Sequence, residues 1–213
     1  RPSGMALVPA LLALQMVRDG VLVGPSAPPE GWWGPAVDWL RAPTSLDRSK
    51  LRPRTLAPLL SLGGVAAYAA YLWYRFGEPF AFLTNQATFH GRFPLLKLTF
   101  FSRVVHAPET PVHSTTLVLQ AALTAGALLA VGRVARRFGF AYALLVLGTV
   151  TMVMLGTHDF MGAGRYLLLA FPALAVAGEA LAERPPAARA VLSVSGVVLL
   201  VMAFGFARGR YLG

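Results

Sequence analysis

Two polar islands in the chain carry the residue types that could do chemistry. The first is the stretch FGEPFAFLTNQATFHGRF, Phe76 to Phe93, where Glu78, Gln86, His90 and Arg92 stand among phenylalanines and a leucine. The second is GTHDFMGAGRY, Gly156 to Tyr166, which holds His158, Asp159, Arg165 and Tyr166. An arginine fork binds two oxygens of one phosphate at once, so Arg92 and Arg165 suit an anionic group. His90 and His158 can donate hydrogen bonds or help hold a divalent metal. Asp159 is the best local carboxylate for accepting a proton. Each residue also has a plain structural reading. The arginines can snorkel to headgroups, Gln86 and His90 can form an interfacial pair, His158 and Asp159 can shape a turn, and Glu78 can favour a helix N-terminus.

The composition says what must position these islands. The chain has 213 residues, a mean hydropathy of +0.59, and 56% AVILMFWYC. Charged residues make up 13%, about half the usual share. A soluble fold of this length needs more polar surface than that, so the reading is an all-α, polytopic integral membrane protein. The net charge of +10 comes from 19 Lys+Arg against 9 Asp+Glu. The cations fall between apolar runs rather than along one face, which argues for topology signals and against nucleic-acid binding. With no cysteine, disulfides and thiolate metal sites are excluded.

Six apolar segments are expected as spanning helices: 2–17, 56–74, 114–131, 138–155, 166–181 and 188–207. Each is near the roughly 20 residues that cross a hydrocarbon core, and each must be helical to satisfy its backbone there. The loop after the first carries Arg41, Arg48, Lys50, Arg52 and Arg54. The loop after the third carries Arg133, Arg136 and Arg137, and the loop after the fifth Arg184 and Arg189. By the positive-inside rule these loops face the cytoplasm. Both polar islands then face outward, on one side of the membrane. Arg75, Arg92, Lys97 and Arg103 lie in the outer loop but are spread thinly along it.

Trp32, Trp33 and Trp39 mark the 20–43 stretch as an irregular interfacial segment. In the outer loop, Pro79 and Pro94 each suit a first helical position. The expectation is two interfacial helices, to about His90 and to about Val105. Gln86 and His90 then share a face as i and i+4. No Walker, GxSxG, HExxH or dinucleotide motif occurs.

The ordered set RPSG at the start, FGEPFAFLTNQATFHGRF and then GRYLLLAFP resembles the PIG-V-like mannosyltransferases, membrane glycosyltransferases of the GT-C type. The matching positions are Gly77, Glu78, Pro79, Gln86 and Arg92, then Arg165, Tyr166, Phe171 and Pro172. His90 departs from the pattern, standing where the family has an aromatic. The resemblance implies that residues 1–213 are a single transmembrane domain, the C-terminal part of such an enzyme. The family's N-terminal helices, and the first outer loop with its key acid, are then expected upstream, and the part alone is expected to be inactive.

The implied donor is a polyprenyl-phosphate sugar, and the implied product is a hexose, mannose by resemblance, on a lipid-linked or glycan acceptor. The implied place is the bacterial plasma membrane, among membrane lipids. Asp159 and His158 are the expected catalytic pair, with Gln86, His90, Arg92, Arg165, Tyr166 and Glu78 on the substrate. Two other readings stay open: a non-catalytic scaffold for a partner subunit, and a lipid or small-molecule transporter. The near absence of ionisable residues inside the helices speaks against transport.

Overall fold

The computed structural model describes residues 7–23, 45–81, 97–106, 111–157 and 159–209. They are overwhelmingly helical. In chain order come α1 (Leu7–Arg18), α2 (Pro53–Phe76), α3 (Leu98–Phe101), α4 (Pro111–Phe138), α5 (Phe140–Gly156), α6 (Ala163–Ala182) and α7 (Pro185–Ala207). A two-residue antiparallel ladder, β1 (Leu22–Val23) with β2 (Ser45–Leu46), ties together the ends of the loop after α1. The sequence reading placed only irregular chain there; the tryptophans of that loop lie outside the described residues.

Four helices, α2, α4, α6 and α7, are long and apolar enough to cross a membrane. As described, α1 and α5 are shorter, at 12 and 17 residues. The six expected segments are helical over nearly all of their described residues, but they are not equal spans.

The expected boundaries move for identifiable reasons. The arginines Arg133, Arg136 and Arg137 are not in a loop; α4 carries them on its last turns and ends at Phe138. Arginine is a good helix former, and the break waits for Gly139, whose φ of 91° is costly for any other residue. Arg189 likewise lies within α7, which starts at Pro185 because proline fits a first turn. In α6, residues Leu168–Ala170 tighten to a 3-10 turn just before Pro172. Pro172 has no N–H to close the α-helical bond to residue 168. The same explanation covers the 3-10 start of α2, Pro53–Ser61, which contains Pro58.

The second interfacial helix is also corrected. Lys97 has φ 48°, so no regular helix passes through it. The helix begins at Leu98 and widens into a π-turn over Ser102–His106. Of the first interfacial helix, the described part is one turn in which the Ala81 amide donates to the Glu78 carbonyl at 3.3 Å.

The core lies where α4, α5 and α6 meet. Val134 and Val146 are fully buried there, with Ala127, Ala143, Ala170 and Ala173 between them. Lipid tails are as apolar as leucine, so such helices associate by close approach of small residues. The most heavily buried helix is α5, flanked by α4, α6 and α1. By contrast, α7 has no buried residue and packs on α6 alone in strength. Its leucines, valines and phenylalanines are exposed, as a lipid-facing helix requires. Thr149 and Thr124 are buried inside helices, and each donates its hydroxyl to the carbonyl four residues back, at 2.7 and 2.8 Å.

Candidate functional site

The site is built on the short link from α5 to α6. After Gly156 the chain turns extended at Thr157, and α6 begins at Ala163. Two residues of this link take left-handed backbone, Phe160 at φ 68° and Gly162 at φ 78°. For a phenylalanine that conformation costs about 1–3 kcal/mol and has to be held by its surroundings. Here it is held by contacts from the loop after α2, beyond the first island. The Phe160 ring meets Phe100 edge-on at 5.3 Å, and Lys97 Nζ stands 5.0 Å from its centroid.

Lys97 is the pin of the arrangement. It is 4% exposed. Its ammonium donates to the Met154 carbonyl at 2.7 Å, to the Thr157 carbonyl, and to Thr157 Oγ1 at 3.3 Å. Three acceptors match the three protons of an ammonium. Burial pulls its pKa from 10.5 down to about 8, and the Asp159 carboxylate pulls the other way. The group is therefore still charged at neutral pH.

Asp159 is buried, and both of its oxygens are engaged. Oδ2 receives Arg103 Nη1 at 2.6 Å, and Oδ1 receives the Met161 amide at 3.0 Å. Arg103 comes from the π-turn in the connection between α2 and α4, 56 residues earlier. Its side chain is about a third exposed.

Arg165 lies on the first turn of α6, exposed, with its guanidinium folded over Gly162. A Cβ at Gly162 would stand 2.8 Å from Arg165 Nη2, so glycine is needed both for the left-handed turn and for this close approach. The same turn is anchored to α4, where the Gln120 side-chain oxygen accepts the Gly164 amide at 3.3 Å. Tyr166 is half-buried beside it.

The expected site residues divide as follows. Asp159 lies in the α5–α6 link, and Arg165 and Tyr166 lie on the first turn of α6. Glu78 follows Gly77, the left-handed cap of α2, and is exposed. Among the described residues no hydrogen bond or ion pair joins Glu78 to Asp159 or Arg165. Gln86, His90, Arg92 and His158 lie outside the described residues. Among the described residues no cluster of three or more His, Asp or Glu could hold a metal.

Sequence reasoning counted Lys97 and Arg103 only as loop charges. The available signal was their setting: LLKLTFFSRVV puts two cations into an apolar run, where a charge needs a partner. No family model, no curated protein and no solved structure matches this chain.

Proposed function

We propose that the chain is part of a membrane glycosyltransferase moving a hexose, mannose by resemblance, from a polyprenyl-phosphate sugar to a lipid-linked or glycan acceptor. One observation carries this reading. The loop after α2 and the loop after α5 meet at Arg103–Asp159, with the exposed Arg165 guanidinium on the first turn of the helix that follows. In transfer, the bond from sugar C1 to the donor phosphate oxygen breaks and its electron pair stays on the phosphate. The acceptor oxygen bonds to C1, and its proton passes to a carboxylate. Cations fixed beforehand beside the departing phosphate lower the barrier as its charge grows. Arg165, Arg103 and, from the first island, Arg92 supply that charge in this reading.

Asp159 then acts as a positioning residue for Arg103, because both of its oxygens are already engaged. The proton goes to the acid that the resemblance puts in the first outer loop. The proposal counts α1 and α5 as spans as well, six in all, with both islands outside. A scaffold reading has its own support in the same engagement of Asp159, which occupies both oxygens of that carboxylate.

The test is transfer rate against donor concentration for the complete enzyme, with the upstream part present, in membranes with the protein level controlled. Arg165→Ala should lower kcat by about 100-fold, the scale seen when one preorganised donor is lost. Arg165→Lys should rescue poorly, since an ammonium lacks the planar fork. Near-normal turnover in Arg165→Ala would favour the scaffold.

A further inference from the structure

The opposite end of the bundle carries a second polar feature that the transfer reading does not use. Between the C-terminal turns of α4 and the α6–α7 junction is a cavity of about 530 Å³. Four arginines line it, Arg133, Arg136, Arg137 and Arg184, against two carboxylates, Glu179 and Glu183. Arg137 is paired with Glu179 at 3.0 Å. The balance leaves two positive charges in excess, so the cavity favours an anion.

A second, apolar groove of about 390 Å³ runs from this cavity along the seam of α4 and α6. Arg133 and Val176 line both, so the two adjoin. The groove follows α4 from Ala122 to Arg133, eleven residue steps. At 1.5 Å per residue that is about 16 Å. Half of a hydrocarbon core of about 30 Å is nearly the same length. A charged head cavity opening into an apolar channel one leaflet deep has the dimensions of a single acyl chain under its phosphate.

We propose that this cavity and groove bind one anionic glycerophospholipid of the adjacent leaflet, its phosphate among Arg133, Arg136 and Arg184 and one acyl chain along the α4–α6 seam. Arginine suits the phosphate because its fork offers paired donors to two oxygens. The excess charge selects a net-negative headgroup over a zwitterionic one. The groove selects a lipid over dissolved phosphate. This inference does not rest on the transfer reading: the groove reaches Gly164 at the foot of the loop-built site, but none of the arginines of the cavity belongs to that site.

The test uses the whole chain, purified in detergent, stripped of lipid, and challenged with single lipids. Phosphatidylglycerol should raise the Tm by about 5 °C near saturation, as expected for a ligand well above its Kd. After washing it should be retained about 10-fold over phosphatidylcholine. Inorganic phosphate should give no comparable shift. Arg133→Gln with Arg184→Gln should abolish the preference for phosphatidylglycerol. Leu174→Trp fills the groove from a position that is 52% exposed and should tolerate the change; it should weaken retention of any phospholipid there. Arg75→Ala, at the other end of the bundle, should change neither readout. Equal retention of phosphatidylcholine, an equal shift with inorganic phosphate, or full discrimination in the double arginine variant would overturn the proposal. A larger shift with farnesyl phosphate than with phosphatidylglycerol would overturn the choice of a glycerophospholipid.

Discussion

Lys97 and Arg103 do different work at the meeting of the two loops. Lys97 saturates carbonyls at the end of α5, which have no helical partner of their own. Lys97→Met keeps the apolar stem but removes three donors, leaving buried acceptors unmet at about 1–3 kcal/mol for the unsatisfied groups. The expected outcome is a lowered Tm in detergent; an unchanged Tm would show that water replaces the ammonium. The Arg103–Asp159 pair calls for a double-mutant cycle with Arg103→Met and Asp159→Asn. A partly buried pair with this geometry should couple by roughly 1–2 kcal/mol, and additive losses would remove it as a tie between the loops. Asp159 and Arg165 were legible in the sequence because acids and arginines are scarce around them. The role of Lys97 was not legible. A lone lysine between apolar runs reads as an orientation signal, and neither its own φ of 48° nor that of Phe160 can be read from residue type.

Helices were legible where hydropathy alone decides them, and their ends were misplaced where proline, glycine or a distant partner decides. Gly139 and Pro172 are local causes that could have been weighted more heavily. The link of α1 to α2 has a non-local cause, which no pattern announces. Asp19, just past α1, accepts from Thr55 Oγ1 at 2.6 Å and from Gln15 Nε2 at 3.2 Å. It also pairs with Arg54 at 3.1 Å. The Thr55 hydroxyl foremost, then Gln15 and Arg54, hold its carboxyl below the ordinary 3.8, against the opposing push of burial. The folded pKa thus lies below the unfolded one. The stabilisation is present above the unfolded value, near 3.8, and is lost as pH falls through the folded value. Asp19→Asn should therefore be less stable than wild type at pH 6, and the gap should narrow as pH falls below about 4. Tm measured in detergent across that range checks it; a gap that stays constant would show that the carboxylate charge is not what joins α1 to α2.

At the scale of the molecule, the all-helical membrane character follows from composition, and the bundle agrees with it: small residues meet at the α4–α5–α6 seam, and α7 faces outward without a core of its own. Orientation rests on the arginines at the ends of α4 and α6. A chain without cysteine allows a direct check. Glu78 follows α2 and Glu183 follows α6; both are exposed, at opposite ends of the bundle. In intact cells a membrane-impermeant thiol reagent should label Glu78→Cys and spare Glu183→Cys; the reverse pattern would invert the arrangement.

The helices also differ in reach. From their shared turn at Gly139, α4 extends 28 residues, about 42 Å, and α5 only 17, about 26 Å. The Gln120–Gly164 bond marks where the α5–α6 link meets α4, nine residues or about 14 Å short of the start of α4 at Pro111. The floor that holds Asp159 is therefore sunk well below the rim. A molecule anchored by a hydrocarbon tail whose head lies at that level would reach the link by diffusion in two dimensions, without leaving the bilayer.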